Sequence, residues 1–404
     1  MRVAVVTQHR DRVGGVESYL HAVMPMLAQR HDLAFWSADD TITNRGAIVL
    51  PSGVPGARLD AEPDEAAREV RHWRPDVIFS HGLEDPVLEG AVLAVAPAVH
   101  VQHAYHGTCI SGTKTMAWPG VTQCERAFGP GCLAKYLPRR CGGASPITMT
   151  SLYRTQSTRL EMLRNVGAVM TLSQHMAEEL RRNGVPADRI RVVPPFVLPS
   201  PVVRAPRRPH DAVKLLFLGR LEPLKGVRQL LDSLGPLADR LGRPVSLVIA
   251  GDGGERNALE AYAASLFAFE GRIQVRFTGW QVHSGRARLL AEADALVVPS
   301  VWPEPFGLVG LEAAAAGVPA VAFAVGGISE WLRDGENGCL APAEGARPAL
   351  LAEAIARCVG SPADLARLSA GARAVAAQWT IDRHLTMLDE ALSLAQEPRV
   401  SRAS

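Results

Sequence analysis

Short apolar runs alternate with helix-forming stretches twice along this chain, and a proline-rich stretch separates the two series. The first series has apolar runs at Val3 to Val6, Leu33 to Trp36, Ala47 to Leu50, Val77 to Ser80, Ala98 to Gln102 and Ala168 to Leu172. The second has them at Lys214 to Leu218, Val245 to Ala250, Val275 to Thr278, Ala295 to Val298 and Ala320 to Phe323. Runs this short, spaced by helices, predict strands of a doubly wound parallel sheet, because each parallel crossover carries a helix and the helices cover both faces. Two such sheets suit a length of 404 residues, too many for one ordinary core. The expected boundaries are an N-terminal domain over 1–196, a linker over 197–212, a C-terminal domain over 213–378, and a last helix and tail over 379–404. The helical pattern of that last segment runs from Ile381 to Ala395.

Within the second series, Pro299 to Gly317 concentrates the chemistry. Pro303 and Pro305 keep the segment after the Ala295 to Val298 strand extended, which places Glu304 on a loop. Strong helix formers follow from Leu308, and Gly317 with Pro319 supplies the stop, so Glu312 stands on a helix little more than one turn from its start. The free amides and positive dipole end of such a helix suit a phosphate. Upstream, Arg220 and Lys225 flank a loop between strand and helix, and two fixed cations are what a departing diphosphate requires as its charge grows. Gly251 and Gly253 remove side chains where backbone would pass near a ligand. Read alone, each charge here is a solvated loop residue; their company favours recruitment to one site.

The E-x7-E pair of Glu304 and Glu312, with Pro305-Phe306-Gly307 inside it and a small-residue helix behind, resembles the signature of the retaining glycosyltransferases of family 4, glycosyl transferases group 1, which have the GT-B fold. Gly219-Arg220-Leu221 with Lys225-Gly226, Gly251-Asp252-Gly253 and Gly326-Gly327 match in the family's order. The N-terminal half matches more loosely, through Gly14-Gly15-Val16-Glu17 and a histidine after the Ala98 to Gln102 run. The resemblance implies two Rossmann-like domains facing each other across a cleft, with acceptor bound by the first and nucleotide sugar by the second. It assigns Glu312 to the ribose hydroxyls, Glu304 to the transferred sugar, and the Leu308 and Val309 amides, beside Phe306 and Gly307, to the diphosphate. Residues around Gly279 and Trp280 fall to the base, and Gly14 and Gly15 to the family's first glycine-rich loop. The last helix is expected to cross back to the N-terminal domain. Transfer of this type is thought to proceed on one face, the leaving phosphate helping to deprotonate the acceptor, so neither a metal nor a separate base is required for catalysis.

A histidine at this strand end contacts the donor sugar in the resembled family, and His103 fits best, with His106 second and counted on the acceptor side. His100, His103 and His106 at intervals of three also allow a metal, a weaker reading because such spacing alternates poorly along a strand. The insertion at about 107–145 is rich in glycine and proline and carries Cys109, Cys124, Cys132 and Cys141. None of its spacings is C-x2-C; a structural metal, disulfides and ordinary thiols all stay open. From Arg126 to Arg164 there are seven Lys or Arg and one acid, a surface suited to a phosphate-bearing or lipid-linked acceptor, with Arg139 and Arg140 at its centre.

Net charge decides one exclusion: at +2 it gives no global reason to expect nucleic acid. The chain opens on an apolar strand with no charged and apolar leader pattern, so a cytoplasmic protein is expected, with room for a contact at the inner face of the membrane. Expected partners are a nucleotide-diphosphate sugar and a carbohydrate, lipid-linked or small-molecule acceptor. Two other classes compete: a non-catalytic nucleotide-sugar-binding protein, which would not need all four charged residues, and a GT-B sugar-nucleotide epimerase, which would turn over donor without acceptor.

Overall fold

The computed structural model describes residues 1–12, 14–43, 46–198, 212–268 and 270–397. Most of the expected linker, residues 199–211, and the tail beyond Glu397 lie outside the described residues. In chain order the strands are β1 (Arg2–His9), β2 (Asp32–Asp39), β3 (Gly56–Arg58), β4 (Val77–Ser80), β5 (Ala98–Gln102), β6 (Thr115–Met116), β7 (Thr122–Gln123), β8 (Ala168–Thr171) and β9 (Ile190–Val192). They continue with β10 (Val213–Leu218), β11 (Val245–Ala250), β12 (Ile273–Gly279), β13 (Ala295–Val298), β14 (Ala320–Phe323) and β15 (Gly338–Ala341). The chain divides into two compact units. One comprises Met1–Lys114, Glu125–Pro194 and the chain from Asp382; the other comprises Thr115–Cys124 and Pro195–Ile381.

The first unit holds a parallel sheet of order β3-β2-β1-β4-β5-β8-β9. Every residue of β4, β5 and β8 is buried, the consequence of helices on both faces and the reason these strands read as unbroken apolar runs. The edge differs from expectation. Ala47 to Leu50 is not a strand: only Ala47 forms an isolated bridge, to Asp11, and Val49 is 65% exposed. The third strand is instead the exposed Gly56–Arg58. Ile48 explains the misleading pattern, since it is the one side chain of that run sunk into the core.

Helix Ile381–Gln396 packs on the first unit through His384, Leu385, Leu388, Ala391, Leu392 and Ala395, spaced to form one face. Its polar anchors are specific. His384 Nδ1 lies 2.7 Å from the Pro194 carbonyl, which can only accept, so His384 donates there and its Nε2 accepts from Tyr19 Oη at 2.8 Å. Asp389 accepts from Arg30 at 2.7 Å and lies 2.8 Å from His31 Nε2.

The second unit holds a parallel sheet of order β12-β11-β10-β13-β14-β15. In both sheets the strand order runs outward in one direction and then reverses, between β1 and β4 and between β10 and β13. Ligands of open α/β sheets bind beyond the carboxyl ends of the strands at this reversal. Residues following His9 and Ser80, and residues following Leu218 and Val298, are thereby placed at the two reversal points.

Burial pushes His384 down to about 4, below the unfolded value near 6.5. A histidine depressed in this way stabilises the fold fully above pH ~6.5 and loses that contribution as pH falls toward 4, because the unfolded chain then binds the proton first. Urea denaturation should therefore show stability falling between pH 7 and pH 4.5, with His384 accounting for up to ~3 kcal/mol. An unchanged midpoint across this range would contradict the neutral, buried assignment.

Candidate active site

Beyond β13 the chain leaves the sheet as Pro299-Ser300-Val301-Trp302-Pro303-Glu304, and beyond β10 it makes a short 3-10 turn, Pro223–Lys225. The two segments meet at the reversal point of the second sheet. Lys225 Nζ donates to Glu304 Oε1 at 2.7 Å, and the Ser300 hydroxyl donates to the same oxygen. The ammonium also lies 5.1 Å from the centre of the Trp302 ring, a favourable cation–π position. Burial, at 7% exposure of the Glu304 side chain, acts to raise its pKa. The Lys225 charge and the hydrogen bonds from Lys225, Ser300 and Trp302 outweigh burial and hold the carboxyl below its ordinary value.

Two glycines make this junction sterically feasible. Gly226 has φ of 70°, and a Cβ there would strike the Pro299 carbonyl; Gly326 has φ of 56°, and a Cβ would strike the backbone of Pro303 and Glu304. Only glycine combines that conformation with that approach. The Glu304 carbonyl then accepts from Gly327 N at 2.7 Å, and Leu224 O accepts from Val301 N at 3.0 Å. The Lys225-Gly226 and Gly326-Gly327 motifs thus serve the placement of Lys225 and Glu304.

Helix Leu308–Ala315 begins behind Gly307, which is left-handed at φ 85°. Glu312 on this helix pairs with Arg286, whose Nη1 lies 3.3 Å from Oε1 and 3.2 Å from Oε2. Phe306 is buried edge-to-face on Trp379, and its carbonyl accepts from Trp331 Nε1 at 2.6 Å. Phe306 therefore fixes the helix entry from below and has only backbone to offer a ligand. Arg220 does not join Lys225 and Glu304: it reaches Glu222 at 2.7 Å, and both side chains are exposed. Loops after β10, β11 and β12 knit together, Leu221 N donating to Asp252 O at 2.9 Å and Gly251 N to Gly279 O at 2.9 Å. A Cβ on Gly251 or Gly253 would meet the Gly219 or Leu221 carbonyl. Trp280, just beyond, is 37% exposed.

In the first unit, Gly14 caps helix Gly15–Leu27, and Glu17 in its first turn is buried, which raises its carboxyl pKa. His103 follows β5 and His81 follows β4. His81 Nδ1 and His103 Nε2 are 2.9 Å apart, with the rings stacked at 5.1 Å. Burial drives His103 down to about 3 and His81 well below its usual value, so both rings are neutral. His81 was not among the sequence candidates. A histidine immediately after a four-residue buried strand could have been found by the rule that selected His103. His106 is exposed and packs against Gly112, apart from this pair. Gln102 Nε2 donates to the Ala104 and His106 carbonyls at 2.6 and 2.7 Å and so shapes the turn that carries His103.

The four cysteines of the insertion are not gathered at one point: among the described residues no group of three or more His, Cys, Asp or Glu is placed to hold a metal ion, and none of Cys109, Cys124, Cys132 and Cys141 is in a disulfide. Cys109 is buried with its sulfur accepting from Lys114 N at 3.3 Å, whereas Cys141 lies near the Lys135 carbonyl. Cys124 groups with the second unit and the other three with the first. Lys114, next to Cys109 through its backbone amide, is buried in an ion pair with Glu179. The basic segment is also divided: Arg159 is buried on Glu89 at 2.9 Å, and Arg164 donates to Asn183 O at 2.8 Å. Arg126, Lys135, Arg140 and Arg154 are exposed, and Arg139 is half-buried.

Two doubly wound parallel sheets of this order are those of the GT-B fold. The Anabaena protein HepE, solved in complex with UDP and glucose, matches with a TM-score of 0.69 over 97% of this chain and 99% of its own, at 19% identity. Residues 13–200 match the family model Glycosyltransferase Family 4, and residues 203–375 match Glycosyl transferases group 1. The chain belongs to this glycosyltransferase family. Glycogen synthase of Mycobacterium tuberculosis is 30% identical over 318 residues, covering 75% of this chain and 64% of that protein. D-inositol 3-phosphate glycosyltransferase of Geodermatophilus obscurus is 41% identical over 234 residues, covering 53% of this chain and 49% of that protein. The chain thus spans between about half and two thirds of the length of these curated relatives.

Removing Lys225 leaves Glu304 buried without its counter-charge. Lys225→Ala should destabilise the protein by ~3 kcal/mol at pH 8. The deficit should shrink toward pH 5, because an unpaired buried carboxylate takes up a proton on folding and so gains relative stability as pH falls. Equal deficits at both pH values, measured by urea denaturation, would show that the pair does not carry the effect.

Proposed function

We propose that this protein is a metal-independent, retaining glycosyltransferase that moves a sugar from a nucleotide-diphosphate sugar to a hydroxyl acceptor. The observation that carries the reading is the Lys225–Glu304 pair at the reversal point of the second sheet, immediately ahead of helix Leu308–Ala315. The second unit binds the donor. Lys225, Arg220 and the Leu308 and Val309 amides meet the diphosphate, Glu304 the transferred sugar, and Glu312 the ribose. Gly279 and Trp280 stand at the base, with Gly251 and Gly253 admitting the ligand to the backbone. As the glycosidic bond breaks, charge accumulates on the leaving diphosphate, where fixed donors stabilise the transition state more than the ground state. The leaving phosphate takes the acceptor proton, so no dedicated base is needed.

The first unit supplies the acceptor side, with Gly14 and Gly15 in its glycine-rich loop and His103 as the sugar-contacting histidine. The acceptor is a carbohydrate, a lipid-linked sugar or a small molecule. Among the described residues no helix is long and apolar enough to cross a membrane. Lys135, Arg139, Arg140 and Arg154, in the same stretch of chain as the 81% exposed Ile147, suit an anionic acceptor or the headgroups at the inner face of a membrane. The sharing of this scaffold by HepE with UDP and glucose, and by the glycogen synthase and inositol phosphate relatives, supports a nucleotide-sugar donor.

Thermal-shift screening against UDP-, GDP- and ADP-sugars tests donor binding directly, since a ligand at 100 times its Kd adds ~2.7 kcal/mol. Arg220 is the cleaner kinetic probe because its partner is the exposed Glu222, and Arg220→Ala should leave the melting temperature unchanged. It should lower kcat by ~10²- to 10³-fold with a smaller loss of nucleotide affinity. Glu312→Ala should act chiefly on donor KM and on affinity for free nucleotide, because a ribose contact is the same in ground and transition states. Wild-type turnover in a folded Arg220→Ala, Glu304→Gln double variant would overturn the assignment.

A further inference from the structure

We propose that His81 is a positioning residue that fixes the tautomer of His103, so that His103 presents Nδ1–H to its ligand as a hydrogen-bond donor. The two rings share a single hydrogen along the 2.9 Å line from His81 Nδ1 to His103 Nε2. Either His81 donates and His103 accepts, or the reverse. The choice falls on what happens to the far nitrogen of His81. That atom, Nε2, is buried and has no hydrogen-bond partner among the described residues. Its surroundings are rings: Phe79 at 4.5 Å and Tyr19 at 5.6 Å from the His81 centroid.

Tyr19 does not supply that partner: its hydroxyl donates to His384 Nε2, whose own Nδ1–H donates to the Pro194 carbonyl, and the Tyr19 oxygen, though able to accept, is not within hydrogen-bond reach of His81 Nε2. If His81 accepted at Nδ1, its proton would sit on Nε2 as a buried N–H with no acceptor, the costlier of the two orphans. If His81 donates at Nδ1, the orphan is a bare lone pair among aromatic rings, which costs less. His103 Nε2 is then the acceptor, and the proton of that neutral ring resides on Nδ1. His103 Nδ1 has no partner among the described residues and is not one of the buried orphan atoms. It is open to a ligand.

The consequence rests on the reading of His103 as the sugar-contacting histidine. In this tautomer His103 donates to an oxygen of the sugar and has no basic nitrogen left to take a proton from the acceptor. It holds the sugar and leaves deprotonation to the phosphate.

The test uses the full chain labelled with 15N-histidine. Two-bond 1H–15N spectra at neutral pH report the tautomer of each of the twelve histidines, assigned by single substitutions. His103 is expected as the Nδ1–H form in the wild type, and as the more common Nε2–H form in His81→Leu. His81→Leu should also lose about tenfold in kcat with affinity for UDP unchanged, the scale of losing a partner that orients a functional histidine. His81→Asn, whose amide N–H can replace Nδ1–H, should restore the tautomer and most of the rate. An Nε2–H signal for His103 in the wild type overturns the proposal even if no variant folds, and so does an unchanged tautomer in His81→Leu. If the tautomers behave as expected but no nucleotide sugar is turned over by the wild type, the pairing stands and the enzyme reading falls.

Discussion

A carboxylate withdrawn from water must be compensated where it lies, and the second unit is arranged around doing so for Glu304. Its compensation comes from Lys225 and from Ser300 and Trp302, and none of these can be displaced without exposing the cost of burial. Lys225 reaches it only because the turn after β10 passes against the Pro299 carbonyl, which requires Gly226. Glu304 is presented only because the chain at Gly326 passes against its backbone. The entry to helix Leu308–Ala315 is pinned from the same side by Trp331 and Trp379 on Phe306. One ion pair thus dictates where two glycines, two loops and a helix start must be.

The first unit solves the corresponding position differently. Charge is kept one layer away, in Glu89, which is buried with Arg159 at 2.9 Å and His100 Nδ1 at 3.0 Å. Burial opposes the ionised form of Glu89, but its interactions with His100 and Arg159 prevail and hold its pKa low. Above that layer, His81 and His103 stand at the strand ends as neutral rings. A charged imidazole there would have to be desolvated beside other histidines, and among the described residues no carboxylate is in hydrogen-bond contact with either ring to support it. Hydrogen bonding in defined tautomers replaces ion pairing as the means of orientation.

Much of the fold was legible because the central strands are buried on both faces and so read as unbroken apolar runs. β4, β5, β13 and β14 fall where those runs predict them. Legibility failed at the edges, where burial no longer writes the pattern. β3 has no buried residue, and Ile48 created the look of a strand that the backbone does not form. Glu304, Lys225 and the glycine motifs were visible through their spacing and their family resemblance. Their contact was not, since it joins residues 79 positions apart. Arg286 against Glu312 and His81 against His103 were hidden for the same reason. The cysteines were left open by their density alone: close spacing along a loop does not by itself bring thiols to one point, and Cys109 is engaged with the backbone at Lys114 N.

The two cations expected to face the diphosphate are held in physically different ways, and on the proposed reading this divides their work. Lys225 is 20% exposed and fixed to a buried carboxylate, so it is already in place before any ligand arrives. Together with Glu304 it is nearly neutral, and such a pair exerts little attraction at a distance. Arg220 is 55% exposed and tied to Glu222, a solvated pair worth ~0–1 kcal/mol, so it can exchange that partner for a phosphate at small cost. Its guanidinium offers a planar fork to phosphate oxygens, while the lysine offers a point charge. Arg220 is therefore the group that can follow the growing charge, and Lys225 the group that defines where the charge must grow. Loss of Lys225 disturbs the protein that holds the site, whereas loss of Arg220 removes chemistry from a site that remains built.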